Sequence, residues 1–292
     1  MLKGSIVALV TPFKNSQIDY NALDKLLKLH LDQGTDAVLL CGTTGESPAL
    51  AEDEKDFFIK YCLRKLAGRL PVIVGTGTNN LSRTIAATLK AQKAGADYAL
   101  VITPYYNKPT QKGLYEFFYQ VEAEVDIPLI IYNVPGRTGV NINTETTVKL
   151  AKDCVGIVAI KEASGNIVQA SEIIRDAPAD FALFSGEDAL NLALMACGAV
   201  GTVSVTANIV PQKVHSLIHH CLENKFEQAK QEHLALLELN RIMFIETNPI
   251  PAKEALAMMG LIEREFRSPM TTMSDDNLLK LQQTLHDYKL VK

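Results

Sequence analysis

The chain has 292 residues, 47% hydrophobic and 21% charged, with a formal net charge of -4. That mixture is ordinary for a soluble globular protein, and the length suits one large domain or two small ones with an ample core. The acidic balance and the lack of any Lys/Arg run give nucleic-acid binding no support.

Taken in chain order, the first apolar stretch, Ser5–Pro12, reads as a strand stopped by proline. It is too short for a signal segment or a bilayer span, so a cytoplasmic protein without a membrane anchor is expected. Further strand-like runs follow at Ala37–Gly42, Pro71–Gly77, Tyr98–Pro104, Pro128–Asn133, Gly156–Lys161, Phe181–Gly186 and Val200–Val205. Most are near-continuous in apolar residues, as strands are when helices cover a parallel sheet or when a barrel has a packed interior.

The segments between them carry a helical period. Leu23, Leu26, Leu27 and Leu31 share one face before Gly34, and Ile85, Leu89 and Ala94 precede Gly95. Eight β/α repeats without a doubly wound break predict the α/β class and a (β/α)8 TIM barrel. No Gly-x-Gly-x-x-Gly follows the first strand, which weakens a dinucleotide-binding fold. Beyond about residue 208 only helical patterns remain, at Pro211–Asn224, Lys225–Glu246, Pro251–Gly260 and Ser274–Tyr288. The expected organisation is a catalytic barrel over residues 1–224 and a C-terminal helical region over 225–292, packed on the barrel's side.

The five cysteines (Cys41, Cys62, Cys154, Cys197, Cys221) are scattered and never spaced Cys-x-x-Cys, which reads as reduced, mostly buried thiols. Barrel active sites lie where the strands end, so the polar residues just past each apolar run are the ones to collect. They include Gly42-Thr-Thr-Gly-Glu46, Thr103-Pro-Tyr-Tyr-Asn107, Tyr132-Asn-Val-Pro-Gly-Arg-Thr-Gly139, Lys161-Glu162 and Ser185-Gly-Glu-Asp188. No histidine is among them: His30, His215, His219, His220, His233 and His286 all fall on predicted helices. His215 and His219 have the i,i+4 spacing of metal ligands but no evident third ligand, so the pair reads as a solvated helix face.

Lys161 closes the buried-looking run Gly156–Ile160. Lysine is almost never buried unless it is paired or used. Pairing with Glu162 or a neighbouring strand's carboxylate is the structural reading. The chemical reading is a desolvated amine that attacks carbonyls. Each companion also has a plain alternative: a strand-to-helix turn for Gly42–Glu46, rim packing for Tyr105 and Tyr106, a surface loop for Arg137. Their convergence on one predicted face favours a site.

Four stretches carry a family likeness: Gly42-Thr-Thr-Gly-Glu-Ser47, Tyr132-Asn-Val-Pro-x-Arg-Thr-Gly139, Gly156-Ile-x-x-Ile-Lys-Glu-Ala-Ser-Gly165 and Asn248-Pro-Ile-Pro251. With them the chain resembles the pyruvate-dependent class I aldolases, from Gly4 to about residue 275. The resemblance implies a lyase that needs no cofactor and no metal and condenses pyruvate with L-aspartate 4-semialdehyde, towards diaminopimelate and lysine. It implies a homotetramer built as a dimer of dimers. It gives Lys161 the pyruvate imine and makes Thr43, Tyr132 and Tyr106 a proton relay, with Tyr106 serving a neighbouring subunit's site. Arg137 is implied to bind the semialdehyde's carboxylate, Thr44 to help hold substrate carboxylate, and Gly186 and Val203 to offer backbone groups.

Sugar-acid lyases of the same family share the lysine and the turns but generally lack an arginine at the position of Arg137. A catalytically silent barrel is the reading from another class, and the full set of Lys161, Tyr132, Thr43 and Arg137 argues against it. The resemblance extends to a feedback site for lysine, matched in part by Ser47-Pro-Ala-Leu50, Asn79 and Tyr105. Glu52, Lys55 and Arg83 depart from the strongly inhibited pattern, so weak or absent inhibition is expected.

Overall fold

The structure, a computed structural model, describes residues 2–292; Met1, where the barrel unit is expected to begin, lies outside the described residues. Eight parallel strands close on themselves: β1 (Gly4–Ala8), β2 (Ala37–Leu40), β3 (Val72–Gly75), β4 (Tyr98–Ile102), β5 (Leu129–Asn133), β6 (Ile157–Glu162), β7 (Ala182–Ser185) and β8 (Gly201–Ser204). Each overlaps one of the eight apolar runs read from sequence. β1 pairs with β2 on one side and with β8 on the other, which leaves the sheet without an edge.

Successive side chains on a strand point to opposite faces, and here that alternation separates two apolar layers. Ile6, Leu39, Ile73, Leu100, Ile130, Ala159, Phe184 and Val203 fill the barrel interior. Their neighbours Val7, Val38, Val72, Val101, Ile131, Ile160 and Leu183 face the helices. Buried side chains of this size each contribute about 1.5–3 kcal/mol. On β6, Ala159 belongs to the inner layer and Ile160 to the outer one. The next residue, Lys161, is thereby turned inward and Glu162 outward.

Eight helices wrap the barrel: α1 (Tyr20–Asp32), α2 (Glu52–Leu66), α3 (Leu81–Ala94), α4 (Gln111–Ala123), α5 (Thr144–Asp153), α6 (Ile167–Asp176), α7 (Asn191–Cys197) and α8 (Pro211–Leu222). Side chains of Asp19, Asn80, Thr110, Asn143 and Asn166 accept backbone N–H bonds at the starts of α1, α3, α4, α5 and α6. Such caps are worth about 1 kcal/mol each and fix where the loops above the barrel end. A hairpin of Phe13–Lys14 with Gln17–Ile18 interrupts the first loop. Two-residue ladders are too short to leave a pattern in the sequence.

Three more helices follow, α9 (Phe226–Ile242), α10 (Ile250–Met258) and α11 (Asp275–Asp287). α9 packs on α8 and α11, on the side of the barrel. The segment between α9 and α11 behaves differently from a lateral appendage. It crosses to the loop after β2, where Asn248 bonds Thr44 and Lys253 pairs with Glu46. All five cysteines are free; Cys41, Cys62, Cys154 and Cys221 are buried and Cys197 is exposed. Among the described residues no helix is long and apolar enough to cross a membrane.

Candidate active site

Lys161 is 6% exposed and lies on β6 in register with Tyr132 on β5 and Phe184 on β7. Its Nζ sits 4.2 Å from the centre of the Tyr132 ring. Among the described residues it has no carboxylate partner. Glu162, the nearest candidate in sequence, is engaged elsewhere. Its carboxylate accepts bonds from Asn133 Nδ2 at 2.9 Å, Gln169 Nε2 at 3.0 Å and the Ser164 N–H at 2.6 Å. Strand alternation thus settles the pairing question: the two charges point to opposite sides of the barrel wall.

Space beside the amine is kept by Gly186. A Cβ there would stand 2.6 Å from the Ala163 Cβ and 3.1 Å from Lys161 Cε, so any larger residue would push against the lysine stem. The Gly186 N–H is spent on the Glu162 carbonyl at 2.8 Å. Burial, with Asp188 beside it, raises the Glu187 carboxyl above its ordinary range.

Above Tyr132 lies a cavity of about 340 Å³ whose wall includes Thr43, Tyr105, Tyr132, Arg137 and Asn248. Lys161 stands behind Tyr132 and is not part of that wall. Cys41 is the thiol in that wall, but burial pushes it up to about 12, which keeps it protonated and unreactive at neutral pH.

Asn248 ties two candidate residues together. Its Nδ2 donates to Thr44 Oγ1 at 3.0 Å, and its carbonyl accepts from Arg137 Nη2 at 3.1 Å. The guanidinium is exposed at the mouth with the rest of its donors free for an anion. One turn away, Glu46 holds a left-handed backbone conformation (φ 51°) and is 4% exposed. Its carboxylate meets the Lys253 ammonium and the Arg267 N–H, and Arg267 in turn binds Glu54. Glu46 is therefore neither a free acid nor only a helix-end charge. It anchors the Gly42–Ser47 turn to the C-terminal region.

The structure gathers Thr43, Tyr132 and Arg137 on one cavity; Lys161 lies against the Tyr132 ring, outside that lining, with Gly186 beside its stem. The Thr43 and Tyr132 hydroxyls are not hydrogen-bonded to each other. Val203 is 3% exposed on β8 within the inner layer, and Thr44 is 2% exposed. Tyr106 is not brought in: it is 89% exposed, on a backbone of φ 69°, while Tyr105 takes the place at the cavity. The contacts of Asn248 with Thr44 and Arg137, and of Lys253 with Glu46, are not foreseen in the sequence. The Asn248-Pro-Ile-Pro251 motif was their only signal.

A second, larger cleft of about 850 Å³ opens between α2 and α3, and Ser47, Glu52, Lys55, Asn79, Arg83 and Tyr105 all line it. On the far side of the barrel, the expectation of a solvated His215–His219 face needs correction. Both imidazoles are partly buried and meet the Asp36 carboxylate, which precedes β2 and supplies the third ligand type that the helix lacks.

Comparison with known proteins bears on this geometry. The dihydrodipicolinate synthetase family model matches residues 1–288. The 4-hydroxy-tetrahydrodipicolinate synthase of Aquifex aeolicus (strain VF5) is 50% identical over 290 residues, which is 99% of each chain. The crystal structure of dihydrodipicolinate synthase from Aquifex aeolicus superposes with a TM-score of 0.97 at 50% identity, covering 99% of this chain and 98% of that one. The chloride-inhibited dihydrodipicolinate synthase from Acinetobacter baumannii, complexed with pyruvate, has a TM-score of 0.97 at 40% identity, covering 100% of both chains. With this agreement in sequence and fold along the whole chain, the protein belongs to the dihydrodipicolinate synthetase family.

Proposed function

We propose that the chain condenses pyruvate with L-aspartate 4-semialdehyde through a Schiff base at Lys161, giving 4-hydroxy-tetrahydrodipicolinate for diaminopimelate and lysine biosynthesis. The observation that carries this reading is a buried amine in no salt bridge at the C-terminal end of a barrel strand, with a glycine clearing its flank. The amine adds to the ketone of pyruvate and water leaves, forming an imine. Conjugation with the carboxylate acidifies the methyl group, and loss of a methyl proton gives an enamine. The enamine carbon attacks the aldehyde, whose oxygen takes up a proton; the adduct's own amino group then adds to the imine carbon and expels the Lys161 amine, which closes the ring and frees the enzyme. Hydroxyls are the groups available for these proton movements, and we assign them to Tyr132 and Thr43.

Tyr106, turned outward on its own subunit, is assigned to the site of a second copy, in a homotetramer of paired dimers. Arg137 is assigned to the semialdehyde's carboxylate, which its planar fork fits in a way lysine's ammonium does not. Thr44, Gly186 and Val203 complete the substrate-holding set. Residues 1–224 form the catalytic unit, and residues 225–292 a helical region that braces its mouth through Asn248 and Lys253. The compartment is the cytoplasm. Feedback by lysine at the α2–α3 cleft is weak or absent, because Lys55, Arg83 and Lys90 bring positive charge to a site that would have to accept an ammonium. Half-inhibition at sub-millimolar lysine overturns that assignment.

The test is reduction with borohydride in the presence of pyruvate, followed by mass analysis. The adduct is expected at Lys161, and an unmodified Lys161 sinks the mechanism. Arg137→Ala is expected to leave the adduct intact while raising KM for the semialdehyde about 10–100-fold, the worth of a charged hydrogen-bond pair. An unchanged KM removes Arg137 from the role.

A further inference from the structure

At the end of the barrel opposite Lys161, three side chains far apart in sequence converge. Asp36 stands just before β2, and His215 and His219 lie one turn apart on α8. His219 Nε2 is 3.1 Å from Asp36 Oδ1 and 3.0 Å from Oδ2, and His215 Nδ1 is 3.3 Å from Oδ2. One ligand atom from each residue lies within 4.8 Å of the other two. We propose that Asp36, His215 and His219 bind a zinc-like divalent transition metal, with water completing the coordination, as a clamp between α8 and the start of the barrel.

The donor set is that of zinc: two imidazoles and one carboxylate, leaving one open position. Ligands about 2.0–2.1 Å from a tetrahedral ion stand roughly 3.3 Å from one another, close to the separations between the carboxylate and the two imidazoles. Widening these hydrogen-bond separations by a few tenths of an ångström brings the carboxylate and each imidazole to ligand spacing. The side chains of Asp36, His215 and His219 are 25%, 29% and 33% exposed, so one side of the cluster remains open to water.

The site is also built. Asp36 Oδ2 accepts the Ser5 N–H at 2.7 Å, which fixes the carboxylate. A Cβ at residue 4 would come within 2.2 Å of that same oxygen, so only Gly4 leaves room for it. Gly34 likewise lies under the His215 ring, 3.2 Å from where its Cβ would be. The two imidazoles stack with ring centres 3.9 Å apart. The N-terminal end of a barrel is its stability face, so the ion acts as a staple and takes no part in the chemistry at Lys161.

The experiment uses the full-length chain carrying Cys197→Ser, which removes the exposed thiol as a competing ligand. After chelator treatment and dialysis, zinc chloride is titrated while metal content and Tm are measured; cobalt(II) absorption reports the geometry. The expected result is one zinc per chain, a tetrahedral cobalt spectrum, and a Tm rise of roughly 5 °C at a hundredfold excess over Kd. His219→Gln and Asp36→Asn keep the size of each side chain. Each should weaken zinc binding by more than about tenfold, since even partners one shell beyond a metal matter that much. Both should still form the pyruvate adduct at Lys161, which shows that they fold. Zinc content and Tm response unchanged in these variants, or no zinc bound by the parent chain, overturns the proposal and leaves a carboxylate–imidazole hydrogen-bond cluster only.

Discussion

Two lysines are buried among the described residues, and the chain treats them in opposite ways. Lys253 is 1% exposed and is matched by a carboxylate, Glu46, with the faces of Phe13 and Phe266 at 4.2 and 5.1 Å. Burial pushes its ammonium below the usual lysine range even so, with the Glu46 charge opposing. Lys161 is nearly as deep but forms no salt bridge: Glu187 reaches it only through longer-range charge, and its close neighbours are the face of Tyr132 and the gap that Gly186 leaves. Removing one member of a buried pair leaves the other charged and unpaired. Removing an amine outside any salt bridge strands no contact partner, only the longer-range charge of Glu187. The first lysine should thus matter to folding and the second to chemistry.

The sharpest way to break that contrast is Lys161→Ala. The pyruvate adduct should vanish and kcat fall by roughly three orders of magnitude or more, while denaturation shifts by about 1 kcal/mol or less. A large loss of stability would make Lys161 structural after all. Lys253→Met should do the reverse, costing about 3–5 kcal/mol in urea denaturation while the folded fraction still forms the adduct. Adding Glu46→Gln should recover most of that loss, and failure to recover it would locate the effect in packing.

A buried base without an ion partner offers a third test. His30 is fully buried, with Nδ1 2.9 Å from Thr35 Oγ1, and burial pushes its imidazole down from 6.5 to about 4. The unfolded chain takes up the proton first, so this contribution is whole above pH 6.5 and is lost as pH falls towards 4. The total is about 3 kcal/mol, and His30→Gln should flatten the pH dependence of stability in that window. Gly186→Ala should have the smallest effect, about tenfold in kcat with a modest change in Tm. Its Cβ presses on Ala163 and the lysine stem but breaks no charge pair.

The barrel was legible because its strands are buried on both faces, so each reads as a run that few surface segments imitate. Lys161 was legible for the same reason, as a charge ending such a run. What escaped was whatever depended on residues remote in sequence. Asn248 lies 204 residues from the threonine it bonds, and Asp36 lies 179 residues before the His215 it meets. No local periodicity joins such positions. Tyr106 escaped in another sense, since the sequence names the residue while the single chain turns its ring to solvent.

The closure of β1 on β8 sets a timetable for synthesis. Gly4–Val7 pairs with Gly201–Ser204, and Asn208 then latches the strand by donating to the Ala8 carbonyl at 2.8 Å and accepting the Val10 N–H at 3.1 Å. The first strand to leave the ribosome is therefore the last to be enclosed. At about 5–20 residues per second, β1 waits roughly 10–40 s with one side open and Ile6 and Val7 uncovered. A nascent chain stalled or cut before residue 200 carries that naked edge, an invitation to intermolecular strand pairing that the finished barrel never presents.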